Sequence, residues 1–245
     1  MNIFLKVFNF LYKYGRWTVL GRIVVAILNL FLSVVLTKLM TTSDYGNYQY
    51  YLSIFLLLEF FSNPGATSAV LKYVALRKEW VCNFLLKQRL KYSLIASTIF
   101  IIFGVYNILE GHFFETIVYF IFSILFPFFF CYDLFTSYLH AKIELKKLNI
   151  IYIVRSFVQL LATIIAFKLT NNILITIITF IGSIAISNVY FYKKNIKFLS
   201  INNYEINIKN KAKSMAIGLS LISLLGTIAS QIDKILIFNL IDSKR

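Results

Sequence analysis

The sequence predicts an all-α protein that crosses a membrane several times, and three features support this prediction. Hydrophobic residues make up 59% of the 245 positions, whereas charged residues make up only 14%. A soluble domain carries about 25% charged residues, so this chain has too little charge to cover a surface that faces water. The hydrophobic residues also fall in long runs with the basic residues between them. We therefore expect the lipid bilayer to be the solvent for most of the chain.

The amino-terminal element, residues 1–18, is predicted to be an amphipathic helix. Asn2, Lys6, Asn9 and Lys13 recur at the three- and four-residue spacing of one helical stripe. A helix of this kind suits the headgroup region of a bilayer. The alternative is a cleaved signal peptide, but a long apolar run follows and no small-residue cleavage site is present. We expect the segment to be retained.

Seven apolar segments follow, each about 17 to 25 residues long and therefore able to cross a hydrocarbon core of about 30 Å as a helix. They are residues 19–37, 48–68, 92–109, 114–138, 150–169, 173–192 and 216–241. The first six form one predicted transmembrane lobe, residues 19–192. A basic connection, residues 193–215, leads to the seventh helix and the carboxyl terminus, residues 216–245. Within the second connection, residues 80–91 are predicted to be either a helix on the membrane surface or a solvated connector.

The distribution of Lys and Arg predicts the orientation of the chain. The connection between the second and third segments is rich in basic residues, whereas the connection between the third and fourth segments has neither Lys nor Arg. The basic residues of the former are Lys72, Arg77, Lys78, Lys87, Arg89 and Lys91. Because basic connections stay in the cytoplasm, this alternation predicts a cytoplasmic amino terminus. It also explains the net charge of +15 without a nucleic-acid partner.

Ionisable residues inside the apolar segments are the first candidates for function, because burying a charge in hydrocarbon is costly. They are Arg22, Glu59, Asp133, Arg155, Asp233 and Lys234. Gln159 and Thr163 follow Arg155 on the same helical face, which favours a cavity lined by that face. Arg22 can instead extend to the interface. Glu59 and Asp133 can instead form an ion pair between helices or stay protonated.

Stripes of hydroxyl side chains mark the sixth and seventh segments. They consist of Thr176, Thr179, Ser183 and Ser187, and of Ser220, Ser223, Thr227 and Ser230. Such stripes either contact a neighbouring helix or line a wet groove. Lys234 lies at the end of the second stripe, which favours the groove there.

Motifs for enzymatic chemistry are missing from the sequence. It has no Gly-rich phosphate loop and no His pair at metal-ligand spacing, and we expect His112 and His140 to lie on opposite sides of the membrane. Cys82 and Cys131 suggest neither a disulfide framework nor a metal site. We therefore expect a protein without a cofactor that is not an enzyme, and any transport by it to be driven by a gradient or by the membrane potential.

Several motifs resemble those of bacterial polysaccharide-biosynthesis flippases of the O-antigen type. The turn DYGNY at residues 44–48 is followed by NPG at 63–65 and KYVA at 72–75. In the seventh segment, QIDKILI at 231–237 is similar to the start of the second half of these flippases. The resemblance extends over nearly all of the chain.

The resemblance implies the fold of the multidrug/oligosaccharidyl-lipid/polysaccharide exporters, in which two six-helix lobes enclose a cavity. It implies a lipid-linked oligosaccharide, carried on undecaprenyl diphosphate across the bacterial cytoplasmic membrane, as the substrate. Arg22, Arg155 and Lys234 are the expected contacts for its anionic headgroup. A drug or cation antiporter of the same superfamily is the alternative, and it would use intramembrane acids such as Glu59 or Asp133.

The number of predicted helices departs from the family pattern. Flippases of this kind have about twelve to fourteen helices, whereas seven are predicted here, one lobe and the first helix of the next. The resemblance then implies either an inactive truncated product or a chain that pairs with a second one supplying the missing lobe, and we expect truncation. A membrane assembly subunit remains a further alternative. A membrane-bound enzyme is disfavoured because the outward connections are short.

Overall fold

A computed structural model of the protein describes residues 2–196 and 205–242, and the side chains of residues 15–196, 205–233 and 236. The described chain is helical with no β-strand, which confirms the all-α prediction. Its helices are α1 (Asn2–Leu39), α2 (Thr42–Leu57), α3 (Ala66–Ala75), α4 (Trp80–Leu109), α5 (Phe113–Phe130), α6 (Leu134–Ala141), α7 (Leu145–Thr170), α8 (Ile173–Asn195) and α9 (Ile206–Asp242).

Six stretches of helix are long and apolar enough to cross a membrane, and the number rises to seven when the bent pair of α2 and α3 is counted as one span. The six are α1 from Gly15, α4, the combined α5 and α6, α7, α8 and α9 up to Asp233. The protein is therefore a polytopic membrane protein with six or seven spans, which is consistent with the predicted number of about seven.

Several helices extend beyond their predicted limits. Helix α1 continues without a break through the boundary expected at residue 18. Residues 80–91, predicted to be a surface helix or a connector, are instead the first turns of α4. Helix α9 begins at Ile206, inside the connection predicted for residues 193–215. Lys, Arg and Gln have good helix propensity, so a polar stretch without Pro can prolong an apolar helix.

The predicted second segment, residues 48–68, is not one straight helix. A 3-10 turn over Leu58–Ser62 follows α2, and α2 with this turn is bent by 48° against α3. Asn63 has a left-handed backbone with φ of 56°, and Pro64 has no N–H to donate. Together these two residues end the first half of the span, which the apolar pattern alone did not predict.

The span formed by α5 and α6 contains a second break. Pro127 lies inside α5 and cannot donate to the carbonyl of Ser123. The hydroxyl of Ser97 on α4 donates to that carbonyl instead, at 2.7 Å. A 3-10 turn over Cys131–Asp133 then leads into α6. Of the two prolines of the sequence, Pro64 thus lies at the first break, and Pro127 lies about one helical turn before the second.

The helices pack around two hydrophobic clusters. Helix α4 packs on α5, α5 on α8, α8 on α7, and α7 on α1. Phe55 of α2 lies at the centre of the first cluster, where its ring contacts Phe122 at 4.9 Å and Phe126 at 5.6 Å between centroids. The second cluster surrounds α3 and is completed by α4, α6 and α9.

Helix α9 docks on the break between α2 and α3. The Ser220 hydroxyl oxygen accepts a hydrogen bond from the Gly65 N–H at 2.9 Å and lies 2.6 Å from Oδ1 of Asn63. A Cβ atom at Gly65 would lie 2.2 Å from the carbonyl oxygen of Ala216. Only glycine therefore allows the backbones of α3 and α9 to approach so closely.

An ion pair joins two connections at the basic end of the bundle. Glu79 accepts hydrogen bonds from Lys142 and from the Tyr138 hydroxyl, the latter at 2.8 Å. Burial alone would raise the pKa of Glu79, but these hydrogen bonds and the charge of Lys142 outweigh burial and hold the pKa below its ordinary value. The carboxylate is therefore ionised at neutral pH and ties the start of α4 to the end of α6.

Candidate functional site

A cavity of about 410 Å³ lies between α1, α2, α7 and α8. Much of its wall is apolar, but one set of polar side chains faces into it. These are Asn29, Ser33, Tyr45, Gln49, Arg155, Ser156 and Gln159. Arg155 supplies the charge of this lining. Because the polar groups come from three separate helices, the cavity is a polar groove between membrane helices, which we call the central groove.

Arg155 is held by two partners on other helices. Its Nη1 donates to Oδ1 of Asp133 at 3.2 Å and to Oδ1 of Asn188 at 2.9 Å. The guanidinium also lies over the Tyr152 ring, 5.2 Å from its centroid. Asn188 in turn donates to the Phe129 carbonyl at 2.6 Å. The break after α5 therefore brings Asp133 to Arg155, and Asn188 fixes the end of α5 in place.

The ion pair of Arg155 and Asp133 is only partly withdrawn from solvent. The side chains are 21% and 37% exposed, respectively. Within the described residues, both hydrogen bonds of Arg155 are made through Nη1. The donors on Nε and Nη2 therefore remain for an anion in the groove, and a guanidinium can bind phosphate oxygens through two parallel hydrogen bonds.

Arg89 forms a second charged cluster at the break between α2 and α3. The residue is 2% exposed, and its Nε donates to the Ser62 carbonyl at 2.9 Å. Glu59, which is half-buried, lies within electrostatic range of Arg89 and of Asp133. Arg89 was predicted to lie in a basic connection, and that prediction is wrong: α4 begins at Trp80 and carries Arg89 into the packed interior.

The other predicted site residues are more dispersed. Arg22 is exposed on α1 and within electrostatic range of Tyr152, so it lies on the same side of the bundle as Arg155. Asp233 is exposed on α9, and no hydrogen bond or ion pair joins it to these clusters within residues 15–196 and 205–233. Lys234 belongs to α9, but its side chain lies outside the described part of the structure.

The hydroxyls of the two stripes form hydrogen bonds mainly to nearby carbonyls along the same helix, and Ser220 also bonds to another segment. The hydroxyls of the α8 stripe donate to carbonyls of their own helix. Ser223, Thr227 and Ser230 of α9 do the same. Among the described hydroxyls of the two stripes, that of Ser220 also forms hydrogen bonds to another segment, at Asn63 and Gly65.

Sequence reasoning missed Asn188 and the buried position of Arg89. Asn188 is 1% exposed and lies in an otherwise apolar segment, where an amide needs hydrogen-bond partners. That isolation could have marked it as a contact for a broken helix. For Arg89, no Gly or Pro interrupts residues 80–103, which could have indicated that α4 starts well before it.

The helical spans and the groove between them define a polytopic membrane protein with a polar, cation-bearing cavity. A family model described as "Polysaccharide biosynthesis protein" matches residues 11–245. The chain therefore belongs to the polysaccharide biosynthesis protein family, which confirms the resemblance found in its motifs. Searches of curated proteins and of solved structures gave no significant match.

Proposed function

We propose that this protein takes part in moving an oligosaccharide linked to undecaprenyl diphosphate across the bacterial cytoplasmic membrane. Family membership supports a membrane role in polysaccharide biosynthesis, and the translocation step is our inference. In this proposal the amino terminus is cytoplasmic, and the protein carries the lipid-linked sugar without changing it chemically.

The observation that carries the proposal is the placement of Arg155 in the central groove. A diphosphate offers several anionic oxygens, and Arg155 offers donors that Asp133 and Asn188 leave unused. The groove volume of about 410 Å³ falls within the range of about 300–1,000 Å³ of ligand pockets. Amides such as Asn29 and Gln49 suit the hydroxyls of a sugar.

Arg22 and Lys234 extend the proposed headgroup site. Arg22 is exposed and lies within electrostatic range of Tyr152, which also contacts Arg155. Lys234 follows the hydroxyl stripe of α9 in the sequence. We propose that these two cations attract the diphosphate and that Arg155 binds it.

Neither intramembrane acid favours the alternative of a drug or cation antiporter. Asp133 already faces the guanidinium of Arg155 at 3.2 Å, and Glu59 lies in the field of Arg89. A cation binding to either carboxylate would have to compete with a fixed positive charge. Arg155 lines the central groove, whereas neither acid does, and this lining favours an anionic substrate.

The test replaces Arg155 in the bacterium that makes the protein. We expect Arg155→Ala to reduce surface polysaccharide by about tenfold or more, because a hydrogen bond to a charged group contributes about 1.5–3 kcal/mol. Lipid-linked oligosaccharide should then accumulate on the cytoplasmic leaflet. Arg155→Lys should keep part of the activity, because it retains the charge but loses the planar fork of donors.

Lys168→Ala is the matched control, since Lys168 is an exposed cation at the other end of the same helix. It should leave export unchanged. Normal export by Arg155→Ala at normal protein abundance would refute the role of Arg155. A loss of drug efflux with an unchanged distribution of lipid-linked oligosaccharide would favour the antiporter, and no change in either would favour an assembly subunit.

A further inference from the structure

A second cavity, of about 650 Å³, lies at one end of the bundle, away from the central groove. It is formed where α1, α7 and α8 approach the connection between α6 and α7. Its apolar walls include Trp17, Ile150, Ile151 and Phe191. We call it the interfacial pocket, because each of its three helices enters or leaves a predicted span there.

Basic side chains surround this apolar floor. Arg16, Lys146, Lys147 and Lys194 line the pocket together with one acid, Glu144. Four positive charges and one negative charge leave the lining with a net charge of +3. Lys147 pairs with Glu144 at 3.0 Å, so that acid compensates one lysine and leaves the others to set the potential.

Two of the lysines are oriented by aromatic rings. The ammonium of Lys146 lies 5.1 Å from the centroid of the Trp17 ring, and that of Lys194 lies 5.5 Å from the centroid of Tyr190. Trp and Tyr favour the boundary between hydrocarbon and headgroups. Lys146 and Lys194 thus line the same pocket as the apolar side chains, at helix ends where the headgroups of a bilayer are expected.

We propose that the interfacial pocket binds an anionic phospholipid, which is a site separate from the proposed transport of lipid-linked sugar. Its phosphate meets Lys146 and Lys194, and an acyl chain lies along Trp17, Ile150 and Phe191. Basic pockets between membrane helices bind anionic headgroups in this way. A free phosphate would leave the apolar floor uncovered, and a zwitterionic lipid would leave the lysines uncompensated.

The pocket contains one of the two tryptophans of the chain, so its occupant can be detected by fluorescence. The full chain carrying Trp80→Phe retains Trp17 alone. It is reconstituted in phosphatidylcholine vesicles that contain a fixed fraction of brominated phosphatidylglycerol or, separately, of brominated phosphatidylcholine. We expect brominated phosphatidylglycerol to quench Trp17 more strongly than brominated phosphatidylcholine does.

Two variants test the lysines. Each of Lys146→Gln and Lys194→Gln should lower the relative association constant for phosphatidylglycerol about fivefold, since a cation near a membrane contributes about 1 kcal/mol.

The control pair is Lys211→Gln with Lys213→Gln, because both lysines are exposed near the start of α9 and outside the pocket. This pair should keep the preference for phosphatidylglycerol. Equal quenching by the two brominated lipids would overturn the proposal, as would an equal loss in the control pair. Relief of quenching by inorganic phosphate, but not by sodium chloride of the same ionic strength, would show a site for free anions and overturn the lipid assignment.

A second measurement avoids the tryptophan substitution. The unaltered chain and the Lys146→Gln variant are extracted in detergent from membranes that contain both lipid classes, and the lipid that they retain is measured by mass spectrometry. The unaltered chain should retain phosphatidylglycerol in excess over its fraction in the membrane, and the variant should retain about fivefold less of this excess. Equal retention by both proteins would contradict the proposal.

Discussion

The side chain of Arg89 replaces hydrogen bonds that the backbone loses where α2 gives way to α3. Its Nε and Nη2 contact the carbonyl and the hydroxyl of Ser62, and its charge acts on Glu59. A carbonyl without a partner in a membrane interior costs several kcal/mol. Arg89 therefore supports the break in the helix, and its charge also acts on a nearby intramembrane acid.

We expect Arg89→Met to reduce the free energy of unfolding by about 1–3 kcal/mol, because the buried carbonyl and hydroxyl of Ser62 would lose the hydrogen bonds that Arg89 donates. Thermal unfolding of the purified protein in detergent measures this loss. Lys87→Met is the control, since Lys87 is exposed on the same helix two residues earlier. A loss of the same size in both variants would contradict the role assigned to Arg89.

At the scale of single residues, the sequence predicted candidates better than partners. Arg155 and Asp133 were both identified because a charge in an apolar run is rare, and an ion pair was among the alternatives for Asp133. The prediction places Arg89 in a connection because a segment defined by apolar residues ends at the first cluster of cations, although helix α4 continues past that cluster to Trp80. Its contact with Ser62, 27 residues away, depends on how two helices pack.

At the scale of elements, the two breaks share one design. A proline lies in the first break and another lies shortly before the second, and near each proline a side chain from another helix donates to a carbonyl: Arg89 to that of Ser62, and Ser97 to that of Ser123. The first break also provides the docking surface for α9, through Gly65. A break is thus a point of contact between helices as well as a bend.

Gly65→Ala should weaken the docking of α9. The added Cβ would lie 2.2 Å from the Ala216 carbonyl oxygen and 2.6 Å from the Ser220 nitrogen, and backbone atoms cannot move aside cheaply. We expect a loss of about 1–3 kcal/mol, typical of an overpacked contact, together with faster hydrogen exchange in α9.

Gly218→Ala provides the matched control, because a Cβ there has nothing within 4 Å. It lies in the interior of α9, so alanine should stabilise the helix by up to about 1 kcal/mol. If Gly65→Ala unfolds at the same temperature as the parent protein, the close approach of α3 and α9 does not contribute to stability.

The helices themselves were largely predictable, whereas their ends and breaks were not. Long apolar runs predicted every span, since crossing a bilayer requires about 20 apolar residues. The extension of α4 back to Trp80 was missed, because a helix can leave the hydrocarbon without ending. The bend at Asn63 was missed because the second segment stays apolar on both sides of it.

At the scale of the whole molecule, the protein is a bundle of spans with a polar groove between helices and a basic pocket at one end. The groove and the pocket lie at different levels of the same helices: Arg155 and Ile150 both belong to α7. A ligand in each would therefore contact the same rigid element. A cavity along the Arg155 face of α7 is predicted from sequence, whereas its walls from α1 and α2 and the presence of the interfacial pocket are not, because segments far apart in the chain line each cavity.

Cysteine labelling can test the predicted orientation. The background carries Cys82→Ala and Cys131→Ala, which remove the two natural, buried thiols. We expect His112→Cys to react with a membrane-impermeant maleimide in spheroplasts, and Lys147→Cys to react only after permeabilisation. The reason is that one span separates the two positions and that Lys147 lies on the basic side of the membrane. The reverse pattern would refute a cytoplasmic amino terminus. Labelling of both from outside would contradict α5 and α6 as one span.

The hydrogen bond between Asn188 and the Phe129 carbonyl has a consequence for biosynthesis. The donor lies 59 residues after the acceptor. A ribosome therefore completes the broken span long before it adds Asn188, whose side chain donates to the Phe129 carbonyl. Until α8 is inserted, the Phe129 carbonyl lacks this hydrogen bond. The hydrogen bonding of the span formed by α5 and α6 is therefore completed only after a later helix has entered the membrane.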